Sequence, residues 1–208
     1  MNNENPSQTA ADVSHDEFTV RRVVTGHDKN GKSVVLADGA PPNVFSTPAL
    51  PGYISIDTFR TFESPAVIAG QPAETTDGPR RQLPTPNGTV IRISHVPPTN
   101  EVFKKLDSAT SNNAFQALGN AGGHTGNAQS RNALMHRTET IDYVVVLSGE
   151  LTLVLDDSEV VLRTGDVLVQ CGTNHAWENR SNIPATVMFV LLSGVYDPEL
   201  TQLLSSVP

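Results

Sequence analysis

With 208 residues, a formal net charge of −8 and a single cysteine, Cys171, the chain has room for one sizeable core and no intrachain disulfide. An acidic chain without a Lys/Arg cluster is repelled by phosphate-rich partners, which argues against nucleic acid and anionic membranes. No stretch approaches the roughly 20 apolar residues of a membrane span, and the polar start Met1–Pro6 lacks the pattern of a signal peptide. The expectation is a soluble, cytoplasmic protein.

Residues 1–16 are polar and read as a flexible arm, leaving 17–208 as a single domain. Thr19–Thr25 and Ser33–Leu36 are β-branched runs around the turn Asp28–Gly31, and together they predict a hairpin. Tyr53–Phe62 alternates as a strand, Ala69–Gly88 is a Gly/Pro/Thr-rich surface connection, and Thr89–Val96 is a strand stopped by Pro97-Pro98. Between Thr99 and Leu134, Val102, Phe103, Leu106, Phe115 and Leu118 predict one or two short helical turns. The glycine-rich Gly119–Gly126 follows, and it reads as either a flap beside a pocket or a plain surface excursion.

From Met135 to Leu192 the pattern tightens into a meander: Ile141–Leu147, Leu151–Leu155, Glu159–Arg163, Val167–Gln170, His175–Asn179 and Thr186–Leu192, separated by turn residues. About ten short strands without a repeat predict an all-β jelly-roll barrel whose mouth is lined by side chains. His136 and Thr138 share a face of an extended chain, Asp142 has the parity of Val144 and Val146, and His175 that of Trp177. If those faces point inward, the barrel holds a polar cluster walled by Val and Trp.

These residues resemble the two motifs of the cupin superfamily, G-x5-H-x-H-x3-4-E-x6-G and G-x5-P-x-G-x2-H-x3-N. The first falls on Ser130, His136, Thr138, Asp142 and Gly149. The second falls on Gly165, Gln170, Gly172, His175 and Asn179, one residue short before Gln170. The strings HRTETIDY and GTNHAWEN are similar to a subgroup of single-domain cupins in bacteria and fungi, with the core motifs spanning 130–192. The resemblance implies a cupin jelly-roll with a few short helical turns and an N-terminal strand extension.

The resemblance also implies a pocket in which His136, Asp142 and His175 are catalytic and hold a divalent metal. Zn or Fe would lead, with Mn, Ni or Cu as further options. Thr138 stands where the family has a histidine and Asp142 where it has a glutamate, so two imidazoles and one carboxylate remain. The rival reading is a metal-free His–Asp pair that still moves protons. Thr138, Trp177 and Arg92 are candidate substrate contacts. Arg92 either anchors a substrate carboxylate or phenolate or is a solvated or ion-paired arginine. His124 either closes over the site or is exposed, Asn179 either holds a turn or orients His175, and Cys171 is structural.

Three functions follow. The first is a lyase-type enzyme (dehydratase, decarboxylase or cyclase) acting on an oxygenated aromatic or polyketide-like metabolite. The second is an iron-dependent dioxygenase, and the third a non-catalytic ligand-binding cupin. The expected partners are a small-molecule substrate and a second copy of the chain, docked through the outward positions Tyr143, Val145 and Leu147.

Overall fold

The computed structural model describes residues 18–99, 106–120, 122–127 and 129–205. The arm expected at 1–16, and the apolar positions Val102 and Phe103, lie outside the described residues.

Strand β1 (Arg22–His27) and β2 (Ser33–Gly39) form a separate antiparallel hairpin. A six-stranded antiparallel sheet runs in the order β3 (Phe45–Thr47), β4 (Leu50–Thr61), β5 (Thr89–Val96), β11 (Ala185–Ser193), β6 (Thr140–Ser148), β9 (Val167–Cys171). A three-stranded sheet runs β10 (His175–Glu178), β7 (Glu150–Leu155), β8 (Glu159–Arg163). The order places sequence-distant β5 and β6 on either side of β11, with Phe189 opposite both Arg92 and Val144. This is the expected all-β jelly-roll, with eleven strands among the described residues.

Strand β6 shows why the sheet closes on a core. Thr140, Asp142, Val144 and Val146 are buried while Ile141, Tyr143 and Leu147 are exposed, the period of two that a sheet with one wet face requires. Val144 packs with Leu151, Ala185 and Val187, and Trp177 and Phe189 close over that cluster. Gly149 turns β6 into β7 at φ +76°, where an added Cβ would lie 2.7 Å from the Pro184 carbonyl oxygen; only glycine fits there.

Among the described residues, two helices accompany the sheets. Helix α1 (Ser108–Ala117) is a full ten-residue helix rather than a turn. The Asp107 side chain caps it by accepting from Thr110 N at 2.7 Å, and it ends at Leu118 before Gly119 at φ +77°. Ala114, Phe115 and Leu118 pack on Leu50, so α1 lies over one end of the larger sheet. Helix α2 (Pro198–Ser205), not foreseen in the sequence, buries no residue. Among the described residues no helix is long and apolar enough to cross a membrane.

The 69–88 connection lies largely at the surface, as expected, yet it carries the nearly buried Arg80, whose side chain is 12 % exposed, and it is tied down by arginines from the sheet. Arg60 bonds the carbonyls of Leu83 and Arg81, and Arg80 and Arg92 also donate to the Arg81 carbonyl.

Candidate active site

A cavity of about 130 Å³ opens between the sheets and α1, and every residue singled out for the pocket lines it: His136, Thr138, Asp142, His175, Trp177 and Arg92. Its other walls are mostly apolar, with Phe115 and Leu118 from α1, Leu50 and Tyr53 from β4, and Phe189 and Leu191 from β11. Arg92 and His95 lie on opposite faces of β5, as their parity requires. Arg92 faces the cavity, while His95 packs against Phe18 at 4.9 Å between ring centroids.

The two histidines are joined through their own backbones. His136 N donates to His175 O at 2.8 Å and His175 N to His136 O at 2.9 Å, an antiparallel bridge that sets the ring centroids 4.2 Å apart. His136 Nδ1 lies 3.0 Å from the Leu134 carbonyl oxygen and His175 Nδ1 lies 2.9 Å from that of Thr173. With Nδ1–H donated to the Leu134 carbonyl, His136 Nε2 carries the lone pair. Gln170, standing where the motif has proline, is almost fully buried; its Nε2 donates to the same Thr173 carbonyl at 3.0 Å and sits 2.7 Å from His175 Nδ1.

Burial pushes the His136 imidazole down to about 4, against the upward pull of the Leu134 carbonyl. Burial, then the neighbouring His136, pushes His175 well below its ordinary value. Both rings are therefore neutral at pH 7.

Asp142 behaves in the opposite sense. Burial pushes its carboxyl up to about 6, although the Thr140 hydroxyl bond and the charge of Arg92 both pull it down. Thr140 in turn contacts the Thr138 hydroxyl at 2.8 Å. The Asp142 Oδ1 atom is sealed from solvent without a hydrogen-bond partner, a costly state for a buried acceptor.

Arg92 is the ion-paired arginine of the blander reading and a cavity wall at once. Its Nε donates to Asp57 Oδ1 at 2.7 Å, and its side chain is 5 % exposed. His124 is half-buried, not exposed. Its ring nitrogens contact Asn112 Oδ1 and the Ala133 carbonyl, and it stacks on Phe115, which itself lies 5.0 Å from the His136 ring. Asn179 is fully buried and holds a turn, with Nδ2 donating to the Val96 and Ile183 carbonyls. Cys171 is a free thiol exposed on the outer face of β9.

The expected three-ligand metal site meets a geometric objection. The adjacent neutral imidazoles are chemically fit to ligate, but among the described residues no three His, Cys, Asp or Glu side chains are arranged to hold a metal ion. Asp142 does not join the pair as a preformed third ligand. Sequence reasoning missed Gln82, Tyr53, Phe115 and Thr140 as parts of the site, and gave Gln170 a motif position without a role. None lies within a motif position that marks chemistry; Phe115 and Gln82 reach the cavity from segments whose patterns are irregular.

An antiparallel barrel with two histidines and an aspartate on its inner wall defines the class of protein. The Cupin domain family model matches residues 125–191. Phomopsin biosynthesis cluster protein C' of Diaporthe leptostromiformis is 35% identical over 176 residues, which is 79% of this chain and 72% of that protein. The chain belongs to the cupin family. The cupin-domain-containing oxidoreductase virC of Hypocrea virens is 42% identical over 62 residues, 28% of this chain and 32% of that protein. Among solved structures, the chain is similar to an ethanolamine utilization protein q from Salmonella typhimurium, with a TM-score of 0.39 and 8% identity over 86% of this chain and 99% of that one.

Proposed function

We propose that the chain is an enzyme of small-molecule metabolism that moves a proton on an oxygenated, mostly apolar compound bound in this cavity. The chemistry is lyase-type: dehydration, decarboxylation or cyclisation. The observation that carries this reading is Asp142, a buried carboxyl raised to about 6 with one oxygen lacking any donor, on the wall of an otherwise apolar cavity. Relatives named for a biosynthesis cluster support the small-molecule class.

With its carboxyl at about 6, Asp142 is about nine-tenths ionised at pH 7 and still poised to accept a proton. In a dehydration, the Asp142 carboxylate takes the proton from the carbon beside a carbonyl as the C–H electrons move into an enolate. The enolate then collapses to a C=C bond as the adjacent C–O bond breaks, and the proton passes to the departing hydroxyl, which leaves as water. The neutral imidazole of His136 accepts a hydrogen bond from the substrate through Nε2, while Phe115 and Trp177 exclude bulk water.

The test is C–H to C–D exchange in D2O, read by NMR on aryl 1,3-diketones and aryl β-keto acids. Wild type accelerates exchange, kcat/KM rises with pH through about 6, and Asp142→Asn loses on the order of a hundredfold. Exchange by Asp142→Asn at the wild-type rate would sink the reading.

A second reading, a metal-dependent oxidoreductase such as an iron dioxygenase, is favoured by the two neutral imidazoles 4.2 Å apart and by the names of relatives. There His136 and His175 would hold the ion, which would supply oxygen activation. Elemental analysis together with oxygen uptake by Fe(II)-loaded protein decides between the two. A cytoplasmic homodimer belongs to the same proposal, with the exposed Ile141, Tyr143, Leu147, Val167 and Val169 covered by the second copy. A monomer by sedimentation would remove it.

A further inference from the structure

The ion pairs around the inner end of the cavity do not balance. Asp57 receives Arg60 at 2.6 Å, Arg80 at 3.2 Å and Arg92 at 2.7 Å, and all three guanidinium groups are nearly buried. Three buried cations thus share one carboxylate. Asp142 feels Arg92 from the cavity side, and Glu74 and Asp77 line a neighbouring pocket with Arg60 and Arg80. By direct ion pairs among the described residues, three guanidinium groups meet one carboxylate here. Burial and the neighbouring Arg92 pull Arg80 down to about 9, which is the mark of cations crowded beyond their counter-charge.

The surplus faces the cavity at one point. Arg92 spends Nε on Asp57 and Nη2 on the Arg81 carbonyl, leaving Nη1 without a protein partner among the described residues. The side-chain amide of Gln82 and the hydroxyls of Ser94 and Tyr53, 3.2 Å apart, line the same cavity. Beyond these the walls are aromatic and aliphatic. A single guanidinium at the polar end of an apolar slot selects one monoanion on an apolar body. A planar carboxylate matches the guanidinium fork better than a spherical anion does.

We propose that the ligand of this cavity is an aromatic or unsaturated monocarboxylic acid, its carboxylate on Arg92 and Gln82 and its apolar body against Phe115, Trp177 and Phe189. This rests on reading the cavity as the substrate site, and it commits that site to an acid rather than to a neutral ketone or alcohol. Arg60, Arg80 and Asp57 act on the ligand only through Arg92. They fix its orientation, so they are positioning residues.

The probes are trans-cinnamate and its neutral isostere cinnamamide, titrated calorimetrically into the full chain at pH 7.5 and low salt. Cinnamate is expected to bind at least about tenfold more tightly than the amide. Arg92→Met brings the ratio close to one, and Arg92→Lys, which keeps the charge facing Asp57, retains part of it. Should Arg92→Met fail to fold, the wild-type ratio and the lysine variant decide alone. Equal binding of the two probes, no cinnamate binding at millimolar concentration, or an undiminished ratio in either variant overturns the proposal. Equal binding would leave proton exchange by Asp142 standing, whereas exchange that survives Asp142→Asn would leave the acid preference standing.

Discussion

Asp57 and Asp142 are the same residue in comparable burial, both within reach of Arg92, and their carboxyls move in opposite directions. Burial raises both. At Asp57 the charges of Arg92, Arg80 and Arg60 and the Arg92 hydrogen bond outweigh it and hold the carboxyl at about 2. At Asp142 a Thr140 hydroxyl and the more distant Arg92 charge are too weak, and the carboxyl settles at about 6. The number of donors, not depth, separates a structural carboxylate from a reactive one. The saturated one clamps the 79–83 segment to the sheet; the undersaturated one keeps an oxygen for chemistry.

The comparison can be broken at Asp57 first, where the largest effect on stability is expected. Asp57→Asn leaves three buried guanidinium groups without their common counter-charge. Urea unfolding at pH 7 should show a loss of about 3–5 kcal/mol. Little change would mean that the Arg81 and Leu83 carbonyls, not the carboxylate, hold the cluster. Because the folded Asp57 carboxyl is depressed, its contribution is present above the unfolded value near 3.8 and is lost as pH falls toward about 2.

The opposite sign is expected at Asp142. Its folded carboxyl is raised, so above pH 6 the folded state bears the cost of a buried charge that the unfolded chain does not. Asp142→Asn should therefore stabilise the protein at pH 8, by at most about 3 kcal/mol. The gain should shrink as pH falls from 6 and vanish below about 4, where both states are protonated. A pH-independent change in the urea midpoint would remove the distinction between the two carboxylates. The smallest effect belongs to Thr140→Val, which deletes the hydroxyl bond that lowers Asp142. Its carboxyl should titrate higher still by carbon NMR, while Thr140→Ser should leave it in place; an unmoved carboxyl in the valine variant would show that Thr140 is a bystander.

Much of the site was legible because its residues lie on regular strands. Period-two alternation put Asp142, Val144 and Val146 on one face, and the resemblance to the cupin motifs implied a pocket shared by His136 and His175. Strand β5 was predicted as Thr89–Val96 and lies there; the short β3 carries too little pattern to be seen. Arg80, Gln82 and Phe115 escaped because they sit in a Gly/Pro-rich connection and in a weakly amphipathic helix, where no period assigns a side chain to a face.

Alternation and turn residues by themselves determined an all-β barrel, and the resemblance to the cupin motifs implied a pocket holding His136, Thr138, Asp142, His175 and Trp177. Those signals are local, and they act through the two-residue repeat of a strand. Whether the pocket's groups are charged was decided only by tertiary structure. The β11 strand brings Arg92 near Asp142, and the 69–88 connection folds back to crowd a third guanidinium onto Asp57. Electrostatics depends on distance through space and on the water excluded from it, and neither is encoded in the spacing of residues along the chain.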